Sequence, residues 1–257
     1  MDLLSPWFRV ISKKLMSIQT HSASGIKIFL DGADRKTMLE MAANSLVQGF
    51  TTNPTLMRKA GVKDYRAYCQ ELLTQIRQNP ISFEVFADQL EDMQKQAVEI
   101  ASWGSNVYVK IPIMNSEGKP TTPAIRDLSH RGIKLNVTAV YTIQQIWEAA
   151  QALKDGAPSF ISVFAGRMAD CGHDPIPIMI SGAEICRQTD PNVELLWAST
   201  REAFNIIQAE ETGCKIITAP ADVIKKAAGF HQKGLQQLSL ETVRIFKADS
   251  ESAGFAL

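Results

Sequence analysis

From residue 26 onward, short apolar segments alternate with longer amphipathic ones. The short segments cover residues 26–31, 49–53, 81–86, 107–112, 134–139, 160–165, 194–199 and 215–220. Each is rich in β-branched or aromatic residues and bounded by polar residues, Gly or Pro, the pattern of a strand. Between them, residues 34–46 place Met38, Leu39, Met41, Ala42 and Leu46 on one side of a helix, and residues 64–76 do the same with Tyr65, Tyr68, Leu72, Leu73 and Ile76. Residues 142–153, 201–211 and 221–228 share this period. Strands alternating with helices predict a parallel α/β fold, and eight of them predict closure into a single (β/α)8 TIM barrel. The glycine fingerprint of a dinucleotide fold is missing after the first strand. The barrel is expected over residues 26–230. In residues 231–257, an extra C-terminal helix over 235–246 and a tail would cover the barrel or dock on a neighbouring subunit. In residues 1–25, Arg9, Lys13 and Lys14 interleave with apolar side chains. That stretch reads as a transit peptide, a surface helix, an extension outside the barrel, or the product of an early start codon with Met16 as the true start, and no functional residue is placed there.

Composition narrows the partners. The 257 residues suit one barrel domain of about 250. Lys plus Arg and Asp plus Glu balance at 27 each, so nothing electrostatic points to nucleic acid or to a membrane surface. A bound anion should be small and held locally. Cys69, Cys171, Cys186 and Cys214 are scattered, as expected for reduced packing thiols of a cytoplasmic protein. Cys171, His173 and Asp174 lie together but lack a second ligand cluster, so they read as loop residues and no metal is expected. No apolar run approaches the roughly 20 residues that span a bilayer.

Polar residues recur near the strand ends, where such barrels carry their active sites. They are Asp31 on the first strand, Thr51, Thr52 and Asn53 on the second, Glu84 on the third and Lys110 on the fourth. Asn136 and Thr138 follow on the fifth, Ser162 and then Arg167 on the sixth, and Ser199 and Arg201 on the seventh. The two-residue period of a strand puts Asn136 with Thr138, Lys110 with Tyr108, and Glu84 with Ser82 and Phe86, so polar side chains face the barrel axis. Lys110, in the apolar run VYVKIP, bears a large desolvation cost unless neutral or paired. A neutral amine there is a nucleophile for carbonyl carbon; the alternative is a structural ion pair with Glu84 or Asp31, or a lysine snorkelling from the strand end. Glu84 and Asp31 are the acids placed to move protons around such an amine. Arg167, Ser199 and Arg201 suit a phosphate or similar tetrahedral anion, or else are solvated residues at helix starts.

Seven motifs in order carry a resemblance: FLDGAD at 29–34, GFTTNPTL at 49–56, FEV at 83–85, VKIP at 109–112, LNVTAVY at 135–141, ISVFAGRMAD at 161–170 and WASTR at 197–201. Over residues 26–230 the chain resembles the transaldolase family, particularly its smaller members. The resemblance implies that Lys110 is the Schiff-base lysine and Asp31 the acid/base for the hydroxyl next to the cleaved bond. It implies that Glu84 and Thr138 hold a catalytic water. Thr52 belongs to the substrate-binding set, with Asn53, Asn136 and Ser162 bonding a dihydroxyacetone unit, and Arg167, Ser199 and Arg201 form a phosphate clamp. The implied reaction passes dihydroxyacetone from a ketose phosphate to an aldose phosphate without metal or organic cofactor. The related fructose-6-phosphate aldolases, which release dihydroxyacetone, carry Gln where Glu84 stands and Tyr where Phe164 stands, so Glu84, Asn136 and Phe164 side with transfer. Val163, Ala165 and Thr200 depart from the family pattern near the acceptor and anion region, which admits another anion such as a sulfonate. Small relatives often form rings through a C-terminal helix, so a homo-oligomer is expected. A class I aldolase and a sugar-phosphate binding protein without catalysis are the competing readings.

Overall fold

The computed structural model describes residues 25–230 and 233–256; the N-terminal extension, up to residue 24, lies outside them. One compact unit spans Ser24–Ile224, and the residues from Lys225 belong to a second. In the first, the strands are β1 Lys27–Asp31, β2 Val47–Thr51, β3 Ile81–Glu84, β4 Val107–Pro112, β5 Leu135–Val140, β6 Ser159–Val163, β7 Val193–Trp197 and β8 Ile216–Ala219. All pair in parallel and in chain order, and β1 pairs with β8 to close the barrel. The (β/α)8 expectation holds. The helices are α1 Arg35–Ala42, α2 Pro54–Lys59, α3 Tyr65–Gln75, α4 Leu90–Ala101, α5 Thr122–His130, α6 Ile143–Leu153, α7 Ala165–Asp170, α8 Ile176–Thr189, α9 Asn205–Glu211 and α10 Ala221–Ala227.

Starts follow the chain's own chemistry. Asp34, Asn53 and Asp64 each accept a bond from the backbone N–H three residues on, at the heads of α1, α2 and α3. Thr142 and Gln145 cap each other at the head of α6. In the second unit α11, Leu235–Ser252, runs beyond the predicted helix and leaves Leu238, Val243, Ile245 and Phe246 exposed. Among the described residues, no helix is long and apolar enough to cross a membrane.

The aromatic residues on the barrel axis set the depth of the site. Phe29 and Phe160 meet edge to face at 5.7 Å, and Tyr108 stacks on Phe160 at 4.0 Å. Leu196, Ala198 and Ile216 complete this plug. The two-residue period then puts Asp31, Lys110 and Ser162 in the next layer toward the C-terminal ends. Gly49 makes room: a Cβ there would lie 2.5 Å from the Phe29 ring. Gly49→Ala should therefore destabilise by about 1–3 kcal/mol, as overpacking does, read as a lower urea midpoint with unchanged slope.

Four predicted strands run two residues too far. Strand β3 stops at Glu84, and Phe86, expected to face the axis, is 53% exposed and packs on Tyr65 at 4.5 Å. Asn53 and Ala165 belong to helix starts, and Ser199 adopts φ 65°, which strands do not. Helices α2, α4, α5, α7 and α8 were not singled out from the sequence; α2 and α7 are only six residues long.

Candidate active site

All of the expected site residues except Thr52 and Asn136 line one cavity of about 440 Å³ at the C-terminal ends of the strands. Lys110 is at its floor. Its Nζ donates to the Thr52 carbonyl at 3.0 Å and lies 3.5 Å from Glu84 Oε2. The register causes this, because Glu84 pairs directly with Lys110 across β3 and β4, and Lys110 with Asn136 across β4 and β5. Their side chains are only 7% (Lys110) and 17% (Glu84) exposed, so the ammonium and the carboxylate meet with little water between them.

Both acids are tuned by where they sit. Burial pushes the Glu84 carboxyl above its ordinary range; the Lys110 charge and hydrogen bond pull it back, and the negative charge of Asp31 adds to the rise. Burial likewise raises Asp31, opposed first by the Lys110 charge and then by a bond from Thr51 Oγ1 at 2.9 Å. A carboxyl raised from its ordinary range is better matched to moving protons near neutral pH. Thr138 Oγ1 is buried in the cavity wall with no hydrogen-bond partner among the described residues, which leaves it free for a water or substrate.

Thr52 and Asn136 lie beneath the wall, both 0% exposed. The Thr52 hydroxyl donates to the Ser82 carbonyl at 2.8 Å, so its contribution to the floor is the carbonyl that holds Lys110. Asn136 donates to Ser82 Oγ at 2.9 Å and accepts from Ser162 Oγ at 2.6 Å, fixing the hydroxyl of Ser162 from below.

At the rim, the Arg167 guanidinium sits 5.6 Å over the Phe164 ring. Arg201 is held from behind by Asp170, with Nε 2.9 Å and Nη2 2.5 Å from Oδ2. Helix α7 thus carries one arginine and grips the other. The grip needs Gly166, whose added Cβ would lie 1.7 Å from the Ser199 carbonyl oxygen. Ala139 and Ser199, both in the wall, hold left-handed backbone at φ 59° and 65°, strain that clusters at working sites.

Asp170 and Thr218 are given no role from the sequence alone, and Thr200 enters there only as a departure from the family pattern. Thr218 had a signal, being polar between Ile217 and Ala219 at an inward position; Asp170 had none, since its partner is 31 residues away. Cys171 and His173 are exposed, and among the described residues no group of His, Cys, Asp or Glu is arranged to hold a metal ion.

A family model described as transaldolase/fructose-6-phosphate aldolase matches residues 28–257. The chain belongs to this family. A probable transaldolase from a Thermoanaerobacter species is 35% identical over 232 residues, covering 90% of this chain and all of that one. A probable transaldolase from Dehalococcoides mccartyi is 35% identical over 199 residues, 77% of this chain and 88% of the other. A putative lyase/mutase structure from Burkholderia cenocepacia superimposes with TM-score 0.56 at 14% identity over 81% of each chain, a likeness of fold alone. Of the three departures from the usual transaldolase pattern, Val163 and Ala165 are fully buried outside the cavity wall. Thr200 does line it, but its hydroxyl donates to the Thr218 carbonyl at 2.7 Å.

Proposed function

We propose that the protein is a transaldolase working through a Schiff base on Lys110, taking dihydroxyacetone from a ketose phosphate such as fructose 6-phosphate and passing it to an aldose phosphate. The observation that carries the reading is one amine and two tuned acids on the floor of a single cavity whose rim bears Arg167 and Arg201. Nζ gives up a proton, Glu84 being the nearest acceptor, and attacks the ketose carbonyl to give a carbinolamine. Water then leaves, protonated through Glu84 with the free Thr138 hydroxyl to hold it, and an iminium remains. Asp31 takes the proton of the adjacent hydroxyl as the carbon–carbon bond breaks. The bonding electrons move into the iminium and an aldose departs. The same steps in reverse join the three-carbon unit to the acceptor, with Asp31 returning its proton, and water at the iminium carbon frees the product and Lys110.

Phe164 supports transfer over release. It puts a ring without a hydroxyl against the cavity, so it offers no proton to the carbanionic intermediate. A second reading concerns the anion. Arg201 shares its charge with Asp170, which leaves the rim less positive than two free guanidiniums and suits a singly charged sulfonate as well as a phosphate.

The test mixes the protein with fructose 6-phosphate, reduces with borohydride and weighs the peptides. A dihydroxyacetone-sized adduct on the Lys110 peptide is expected, and added erythrose 4-phosphate should discharge the unit before reduction. Free dihydroxyacetone without an acceptor would make the protein an aldolase instead. No adduct across phosphorylated, unphosphorylated and sulfonated ketoses would sink the enzyme reading.

A further inference from the structure

Two buried hydroxyls beside Asp31 take no part in the chemistry above: Thr51 on β2 and Thr218 on β8, 2% and 3% exposed. Strand β1 pairs with both of their strands, with Thr51 directly opposite Asp31 and Thr218 opposite Phe29, two residues earlier. Thr51 Oγ1 lies 2.9 Å from Asp31 Oδ1 and 2.5 Å from Thr218 Oγ1. An ionised carboxylate only accepts hydrogen bonds, so the single proton of Thr51 points at Asp31. The contact between the hydroxyls must then be made by the proton of Thr218 pointing at the oxygen of Thr51. Both bonds run the same way and end on a charge, in surroundings poor in water, where successive bonds polarise one another. Valine would fill either position equally well if packing were the only demand.

We propose that Thr218 and Thr51 form a one-way hydroxyl chain that holds Oδ1 of Asp31 as a standing acceptor, favours the ionised carboxylate and leaves Oδ2 to exchange the proton with substrate. Both threonines are positioning residues, and the proposal rests on the acid/base role given to Asp31 above. The charged groups facing Asp31 are Lys110 on β4 and Glu84 on β3, with Arg167 and Arg201 at the rim. Asp34 and Lys59 line a smaller cavity on its other side. None of these hydrogen-bonds Oδ1, whereas the Thr51 bond offsets part of what burial does to the acid.

The experiment is the pH profile of kcat/KM for Thr51→Val, Thr218→Val, the double variant, Thr51→Ser and Thr218→Ser. Asp31 acts as a base only when ionised, so loss of a bond to its charged form moves the acidic limb to higher pH. Thr51→Val should move it up by about one pH unit. Thr218→Val should move it the same way but less than half as far, because Thr218 acts through Thr51. The double variant should go no further than Thr51→Val alone, and either serine should restore the wild-type limb. A defect of packing would instead lower the plateau at every pH and leave the limb in place, and that result overturns the proposal. So does a double variant whose shift is the sum of the two single ones. If Thr51→Val does not fold, Thr218→Val still decides, since an unmoved limb there breaks the chain at its first link. Asp31→Asn separates the two levels. A limb that survives in it removes Asp31 as the base, and the chain with it; a limb lost there but unmoved by both valines rejects the chain alone.

Discussion

Lys110→Met is expected to abolish the borohydride-trapped adduct and to lower kcat by about 10⁴-fold or more, the scale seen when a nucleophile is removed. The side chain sits where nothing can replace it. Among the described residues the cavity wall contains no second lysine. Methionine fills much of the same space, so the barrel should fold, with unchanged circular dichroism. A second consequence concerns the acids. The Lys110 charge is the largest influence opposing burial at both Glu84 and Asp31. Without it both carboxyls move further up, seen by following their proton uptake in a titration of the variant against wild type. A variant that kept adduct and turnover would place the chemistry elsewhere.

Asp31→Asn should cost about 10²–10⁴-fold in kcat, the usual contribution of a positioned acid/base, while Lys110 remains able to form the adduct. The split between trapping and turnover is the measurement: in the proposed mechanism carbinolamine and iminium formation go through Lys110 and Glu84, and only bond cleavage needs Asp31. The same substitution should change stability in the opposite direction. Burial raises the Asp31 carboxyl in the folded protein, so the folded state favours the protonated acid. Stability from this group is complete below the ordinary carboxylate range and is lost as pH rises through the raised value. Asparagine carries no such loss, so Asp31→Asn should gain in Tm relative to wild type between pH 4 and pH 7. A variant less stable than wild type at pH 7 by more than at pH 4 would contradict this sign. A site held at some expense of stability is what a working acid in poor solvent looks like.

The alternation of short apolar runs with amphipathic ones was enough to indicate a parallel sheet covered by helices, because strands buried on both faces need a helix layer over them, and the count of eight pointed to closure. Side-chain period two, a local property, put Lys110, Glu84, Asp31 and Thr138 on the axis. The period failed at Phe86, and the expected strand overran at Ser199, because both lie past strand ends; an end is set by when the backbone stops finding a neighbour, and that neighbour is distant in sequence. The roles of Thr52 and Asn136 also waited for the fold. Both types fit a substrate contact, and only the packing of β2, β3, β5 and β6 turned their side chains beneath the cavity wall and gave Lys110 a carbonyl instead. The grip of Asp170 on Arg201 and the chain from Thr218 through Thr51 to Asp31 join residues 31 and 167 positions apart and end on groups that are individually ordinary. Types and periods along the chain determined which side chains face the axis. Which of them meet was decided by closure and register, because hydrogen bonds and ion pairs act over a few ångströms of space and carry no trace of distance along the sequence.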